Sequence, residues 1–301
     1  MSVEPDITVP AAPAAAGSPP TGTAVRVGFL RRFRRQRAAV AALAILVLIT
    51  LAAVLAPWWT LYDPAGGSLS DALSGPSGGH WLGTDDLGRD VFTRMMYGAR
   101  LSLGAAVIAV GVAMAIGLPL GLIAGYAGGL VDSAIMRVND ALMSFPPLIL
   151  AISIVGFLGA GLTNAMIAIG VIYAPRFMRV VRGAAMAVRE ETYVEAARMM
   201  GAPAHRIVRR HVLPNILSPL LVEISLSLGF AIIAEASLSF IGLGVQPPSA
   251  SLGSMLGEAF RHLRDAPVYA IGPGVAIMII VLSLNVLGDG LRDSLGRRAM
   301  R

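Results

Sequence analysis

Five stretches of this chain run without a single Asp, Glu, Lys or Arg: residues 38–62, 101–131, 141–175, 236–257 and 266–288. A hydrocarbon layer about 30 Å thick is crossed by about 20 helical residues, so each stretch is long enough for at least one membrane-spanning helix. The apolar positions are continuous rather than alternating, which argues against the strands of a membrane barrel. Stretch 141–175 exceeds one span, and its Gly156-Phe-Leu-Gly-Ala-Gly161 run, followed by Thr163 and Asn164, divides it in two. The pattern predicts an all-α polytopic membrane protein with six spans at 38–58, 101–124, 136–156, 162–181, 214–238 and 268–288.

Composition supports this reading. Of 301 residues, 55% are hydrophobic and 14% charged, where a soluble domain carries charge on about a quarter of its positions. Such a chain cannot clothe a water-facing surface. It has no cysteine, which excludes disulfides, zinc–thiolate sites and a thiol nucleophile. The net charge of +6 comes from arginine alone, since there is no lysine. A phosphate-binding loop of the Gly-x-x-x-x-Gly-Lys-Ser/Thr type therefore cannot be present.

The arginines orient the chain. Nineteen fall in residues 26–37, at Arg137, in residues 176–210 and in the tail at 292–301, while five fall in the alternate segments, at 89, 94, 100, 261 and 264. The positive-inside rule then places both termini in the cytosol. Residues 1–24, rich in Ala, Pro, Gly, Ser and Thr, read as a disordered tail. Residues 25–60 form a basic segment and first span. The run Arg31-Arg-Phe-Arg-Arg-Gln-Arg37 is a membrane anchor facing lipid rather than a nucleic-acid patch, and Ala56-Pro-Trp-Trp59 marks an interfacial boundary. Residues 61–100 form an extracytoplasmic segment, 101–290 a core of five spans, and 291–301 a cytosolic tail.

Polar residues near and within the spans are candidates for function. Glu223 and Glu235, twelve residues apart in span five, are read as sharing one side of the helix, as pathway or interhelical groups. Asn139 and Asp140 open span three beside Arg137, with Asp132 about a turn earlier, and Asn285 and Asp289 share a face late in span six. Glycines 98, 104, 111, 117, 121 and 125 mark span two for close packing, within the chain or against a second membrane subunit. Pro119 and the pair Pro146 and Pro147 predict bends. In the first outer segment, Thr84 is a candidate N-cap with Asp85 and Asp86 in the first turn of a short surface helix. In the second, 241–267, Glu258, Arg261 and Arg264 suit one face of another, as a docking surface or a solvated connection.

The segment 189–212 is the most informative. Arg189-Glu-Glu-Thr-Tyr-Val-Glu-Ala-Ala-Arg-Met-Met200 favours a helix, Gly201 suits a positive-φ stop, and Pro203 opens a second, basic helix. On the first helix Glu191, Glu195 and Arg198 share a face, and Val194, Ala197 and Met200 or Gly201 supply a small-residue surface that admits another protein closely. By composition alone, a solvated hairpin whose arginines merely set topology is the favoured reading.

The residue identities decide between them. Glu195-Ala196-Ala197, Gly201, Ile207 and Leu213-Pro214 resemble the EAA loop of bacterial ABC-importer permeases. Three further runs, from His80 to Asp90, from Glu235 to Gly244 with Pro247-Pro248, and from Leu284 to Asp293, are similar to the C-type permeases of dipeptide and oligopeptide importers. The likeness covers about residues 25–296, with Ile241 in place of an expected leucine and Gly296-Arg-Arg298 as an altered ending. It implies a type I importer permease in the bacterial inner membrane that pairs with a homologous B-type permease. Two ABC ATPase subunits, or one fused pair, would receive the loop 189–212, and an extracytoplasmic peptide-binding protein would deliver substrate. The chain would need no cofactor and perform no catalysis, ATP and magnesium residing on the ATPases. C-type permeases of nickel or glutathione importers share these features and form the alternative. An ATP-independent secondary transporter lacks support, because no internal repeat is visible and the loop would be unexplained.

Overall fold

The computed structural model describes residues 31–296, all helical or loop; the predicted tail 1–24 and Arg297, Arg298 and Arg301 lie outside that range. The helices, in chain order, are α1 (Arg37–Trp59), α2 (Val91–Ala127), α3 (Gly129–Met143), α4 (Pro147–Leu158), α5 (Leu162–Arg189), α6 (Thr192–Met199), α7 (Ala204–Phe240), α8 (Leu252–Phe260) and α9 (Pro267–Gly296). Helices α1, α2, α5, α7 and α9 are each long and apolar enough to cross a membrane, and the bent pair α3 and α4 brings the number to six if it is one broken span.

Three boundaries differ from the sequence expectation. Span three is not one helix over 136–156: α3 and α4 meet at 90°, because Pro146 and Pro147 offer no N–H to continue the ladder and the residue before a proline is pushed out of the helical region. Asn139 and Asp140 therefore close α3 rather than open a span. Span two begins ten residues earlier than expected, with Asp90 as its N-cap accepting from the Thr93 N–H at 2.7 Å. The surface helix expected from Thr84 does not form, since the Asp85 carboxylate takes the N–H groups of Leu87 and Arg89 and folds 83–90 into a compact loop. Beyond the expected fifth span, stretch 236–257 holds a turn and a short helix: α7 stops at Phe240, Gly242 turns the chain at φ +83, and α8 starts with a Ser251–Ser254 capping box.

At 37 residues α2 is a rod of about 55 Å, and Pro119 does not break it. Its N-terminal part meets α8 two turns in, where a Cβ on Gly98 would touch Ser251 and Leu252 at 3.2 Å. Its last turn receives a hydrogen bond to the Tyr126 carbonyl from Arg189, at the start of the α6 hairpin. The loop 61–90 with α8 and the α6 hairpin thus sit at opposite ends of the bundle.

Along its middle, α2 lies against α5 with almost no side chain between. A Cβ on Gly117 would come to 2.7 Å from the Ala174 carbonyl, on Gly121 to 2.7 Å from that of Met178, and on Gly125 to 2.6 Å from that of Arg182. Gly170 on α5 returns the favour, abutting Ala109 and Val112. Glycines four residues apart form one helix face, and among apolar surroundings such close approach is what holds spans together. Gly104 and Gly111 face open space instead. Buried Ala106, Ala109, Ala113, Ala165, Ala168 and Phe177 fill the rest of this seam, with Ile216, Leu220 and Ile232 of α7 behind it.

Gly121→Leu is expected to destabilise the purified chain by about 1–3 kcal/mol through overpacking, read as a fall in its thermal midpoint in detergent. Gly111→Leu, on the open face of the same helix, leaves that midpoint nearly unchanged.

Candidate functional site

The hairpin at one end is built by a C-terminal cap. Gly201 takes φ +79, its N–H bonds to Arg198 O at 3.0 Å, and Ala202 N–H reaches back to Ala197 O at 3.1 Å. This paired arrangement ends α6 and reverses the chain through Pro203 into α7. A wider turn over Val208–Val212 leads into Leu213 and Pro214, and Pro214 has no N–H to give the ladder. Tyr193 accepts a bond from Asn215 Nδ2 at 3.0 Å, tying the two arms, and burial together with nearby Glu191 holds its phenol above the usual value.

Which residues face outward differs from the sequence expectation. Val194 and Ala197 are buried with Ile207 and Val212 and seal the hairpin onto its own chain, because they recur at helical spacing on the side facing α7. The small-residue surface is thus internal. Glu195, Ala196 and Arg198 are exposed, as are Arg206, Arg209 and Arg210 on α7. Met199 and Met200, 85% and 81% exposed, stand at the tip. Two neighbouring methionines in water form an adaptable apolar contact; of the expected partner-facing surface Met200 is indeed exposed, and Met199 joins it.

At the far end, a buried charge network joins the two loops. Asp85 Oδ2 accepts from Arg89 Nε at 2.6 Å and lies 3.2 Å from Arg94 Nε. Arg94, only 1% exposed, also reaches Glu258 at 3.3 Å and the Pro64 carbonyl at 3.2 Å, while Tyr269 donates to Glu258 at 2.9 Å. Glu258 is therefore drawn into a clamp across loop 61–90, α2, α8 and α9, and is not part of an outward charged face with Arg261 and Arg264. Asp85, Asp86 and Glu258 bring carboxylate oxygens within 4.8 Å of one another. Arg89 and Arg94 already supply the positive charge in that cluster, so it reads as an ion-pair clamp rather than a metal centre. No sequence signal links Asp85 to Glu258 across 173 residues.

Inside the bundle, the two glutamates of α7 face different neighbours. Twelve residues make three and a third turns at about 3.6 per turn, so they do not share a side. Glu235, fully buried, accepts from Ser102 of α2 at 2.8 Å and from Ser239 at 2.6 Å, and Ser102 in turn accepts from the Leu252 N–H of α8 at 3.3 Å. Glu223 accepts from Ser227 at 3.0 Å and pairs with Arg176 Nε of α5 at 2.7 Å. Asn139 is buried with its amide nitrogen toward the Pro175 carbonyl (3.1 Å) and its oxygen toward Arg179 Nε (3.2 Å). Asp140 pairs with Arg179 at 2.7 Å and Asp132 with Arg182 at 2.5 Å, clasping α3 to α5. Asn285 is half-buried against Gly229 of α7, where a Cβ would lie 3.4 Å from its oxygen, and Asp289 is exposed.

A bundle of long apolar helices, closed by a charge clamp at one end and presenting a rigid hairpin at the other, defines a multi-spanning membrane permease. Residues 117–301 match the family described as binding-protein-dependent transport system inner membrane component, and residues 27–76 match the N-terminal TM domain of oligopeptide transport permease C. The chain belongs to the binding-protein-dependent transport system inner membrane component family. It is 46% identical over 268 residues to the glutathione transport system permease protein GsiD of Pectobacterium atrosepticum, covering 89% of each chain. To the dipeptide transport system permease protein DppC of Alkalihalophilus pseudofirmus it is 43% identical over 265 residues, covering 88% of this chain and 87% of that one. The fold is similar to that of the MetNI methionine ABC transporter in inward-facing conformations, with a TM-score of 0.55 and 23% identity over 68% of this chain and 96% of that one. It is thus a multi-pass permease subunit of an inner-membrane ABC importer.

The inward and outward faces of the hairpin separate in a simple experiment. Val194→Asp buries an unpaired carboxylate and is expected to cost the permease more than about 2 kcal/mol, seen as a lower thermal midpoint. Met200→Ser on the exposed tip changes that midpoint by less than about 0.5 kcal/mol equivalent.

Proposed function

We propose that this chain is the C-type permease of an importer for short peptides, with glutathione the first substrate to test. The observation that carries this reading is the 46% identity, along 89% of both chains, to a glutathione permease. The sequence alone favours dipeptides or oligopeptides first and leaves glutathione or nickel as the alternative; the similarity to a dipeptide permease at 43% keeps a dipeptide as the second substrate. Nickel finds less support, since the four histidines, His80, His205, His211 and His262, all lie outside the long spans or at the end of α7.

In this reading a homologous B-type permease completes the path, and two ABC ATPase subunits, or one fused pair, hold ATP and magnesium. An extracytoplasmic binding protein delivers substrate to the end closed by the Arg94 clamp. Both termini and the hairpin face the cytosol, as the arginine distribution requires. The ATPases grip Glu195, Ala196 and the Met199–Met200 tip, while Ala197, Gly201, Ile207, Leu213 and Pro214 give the hairpin its shape. ATPase closure then moves α6, and the continuous rods α2 and α7 carry that movement to the clamp, so that inward-open and outward-open populations exchange.

Affinity purification of the tagged chain in nanodiscs, followed by subunit identification and uptake assays with glutathione, alanyl-alanine and nickel, tests the reading. Recovery of a second permease, ATPases and a receptor, with ATP-dependent uptake of glutathione or the dipeptide, supports it; transport by the chain alone without ATP sinks it. Gly201→Val, which forces a β-branched residue into a left-handed conformation at about 1–2 kcal/mol, is expected to lower ATPase retention about tenfold while insertion of the permease persists.

A further inference from the structure

We infer that Arg176 receives the substrate's carboxylate group as it passes through the permease, an inference that rests on the short-peptide reading above. Arg176 lies fourteen residues into α5, about 21 Å along the helix from Leu162, within the expected span 162–181 and toward its cytosolic end. Its side chain is 37% exposed, whereas that of its partner Glu223 is 7% exposed. A guanidinium cannot rest against lipid tails at that depth without large cost, so its open edge fronts a hydrated path or another protein.

The geometry of the pair is asymmetric in a way that selects an anion. Glu223 takes Arg176 through Nε at 2.7 Å, and its remaining hydrogen bond comes from Ser227. Among the described residues no hydrogen bond engages the two terminal nitrogens of Arg176. The guanidinium carbon sits 4.8 Å from the centre of the Phe230 ring, within cation–π range, and Tyr173 lies beside Phe230 at 6.5 Å. A guanidinium paired through Nε and packed against an aromatic ring offers the fork of its terminal nitrogens for bidentate contact with a carboxylate. An approaching anion meets that fork and not the enclosed oxygens of Glu223. The other nearby cation, Arg179, is already paired with Asp140.

Beside the fork is a cavity of about 190 Å³ between α4, α5 and α7, lined by Ala151, Ile172, Tyr173, Phe230, Ile233 and Ser237. It offers apolar room for small side chains next to a carboxylate receptor, the two features common to every short peptide. The Glu223 charge behind the fork weakens its hold on an anion, which suits a contact that must also release.

The test uses the whole importer in proteoliposomes with its receptor, measuring uptake of glutathione or alanyl-alanine per ATP hydrolysed at saturating receptor. The double variant Arg176→Gln/Glu223→Gln removes both charges without stranding either, and Arg176→Lys keeps the charge but not the fork. The double variant is expected to assemble with a thermal midpoint near that of wild type, yet to carry about tenfold less substrate per ATP, the scale of one charge-assisted bidentate contact. Arg176→Lys recovers part of that loss. An unaltered uptake-to-hydrolysis ratio in the double variant overturns the inference, as does a loss of uptake that merely tracks lost assembly. Wild-type importer that accumulates neither probe overturns the short-peptide reading itself.

Discussion

The contact between α2 and α5 is the constraint on which the rest of this structure depends. Apolar side chains gain little by leaving lipid for one another, so helices in a membrane are held by how closely their backbones can approach. Gly117, Gly121 and Gly125 bring α2 within van der Waals reach of the carbonyls of Ala174, Met178 and Arg182. That seam fixes the rotation of α5 about its own axis. With Ala174, Phe177, Met178 and Val181 turned toward α2 and its neighbours, Arg176 and Arg179 are left on a different face, toward α7 and α3. The polar chemistry of the bundle is thus a consequence of where three glycines sit on the neighbouring helix.

The same rod links the two ends. Its N-terminal turn holds Arg94, buried among Asp85, Glu258 and the Pro64 carbonyl, and its C-terminal turn is tied to the hairpin by Arg189 and by Arg198 over the Tyr126 ring at 5.9 Å. A buried ion pair contributes less to stability than its Coulomb energy suggests, because both charges lose water, yet removing one partner costs about 3–5 kcal/mol. The clamp therefore works as a discrete fastening, closed or broken, and not as a graded adhesive. Glu235 provides a second tie nearby, since Ser102 joins its carboxylate to the first N–H of α8.

Much of this was legible in the sequence, and what was not has identifiable causes. Long charge-free stretches announced α1, α2, α5 and α9, the apolar run 214–238 around its two glutamates announced α7, and Gly201 with Pro203 announced the hairpin turn, because helix length and positive φ are local properties. The break at Pro146 was visible as a bend but not as a right angle, whose size is set by the clasp of Asp132 and Asp140 on Arg182 and Arg179. Residues 236–257 are apolar enough for a span, yet they fold as a turn and a short helix, since Gly242 and the capped α8 offer better local satisfaction than a continued rod. The pairings of Asp85 with Arg94 and of Glu223 with Arg176 join distant segments, and neither periodicity nor spacing along one helix can announce them.

The hairpin shows why a short sequence signature can mislead about what touches a partner. Ala197 and Ile207 belong to the same motif as Glu195 and Ala196, yet the first two are buried and the second two exposed. An α-helix of eight residues has little more than two turns, so a face that anchors it to its own chain and a face that meets another must alternate within a few positions. The anchoring face needs Val194 and Ala197 against Ile207 and Val212. The exposed face then falls on Glu195, Ala196, Met199 and Met200, and the left-handed Gly201 holds those methionines at the tip. In the docking proposed for this hairpin, a substitution at Ala197 or Ile207 would act by deforming it, whereas one at Met199 or Met200 would act on the contact itself. The motif interleaves a packing face and an exposed face at helical period, and only the packing against α7 tells the two apart.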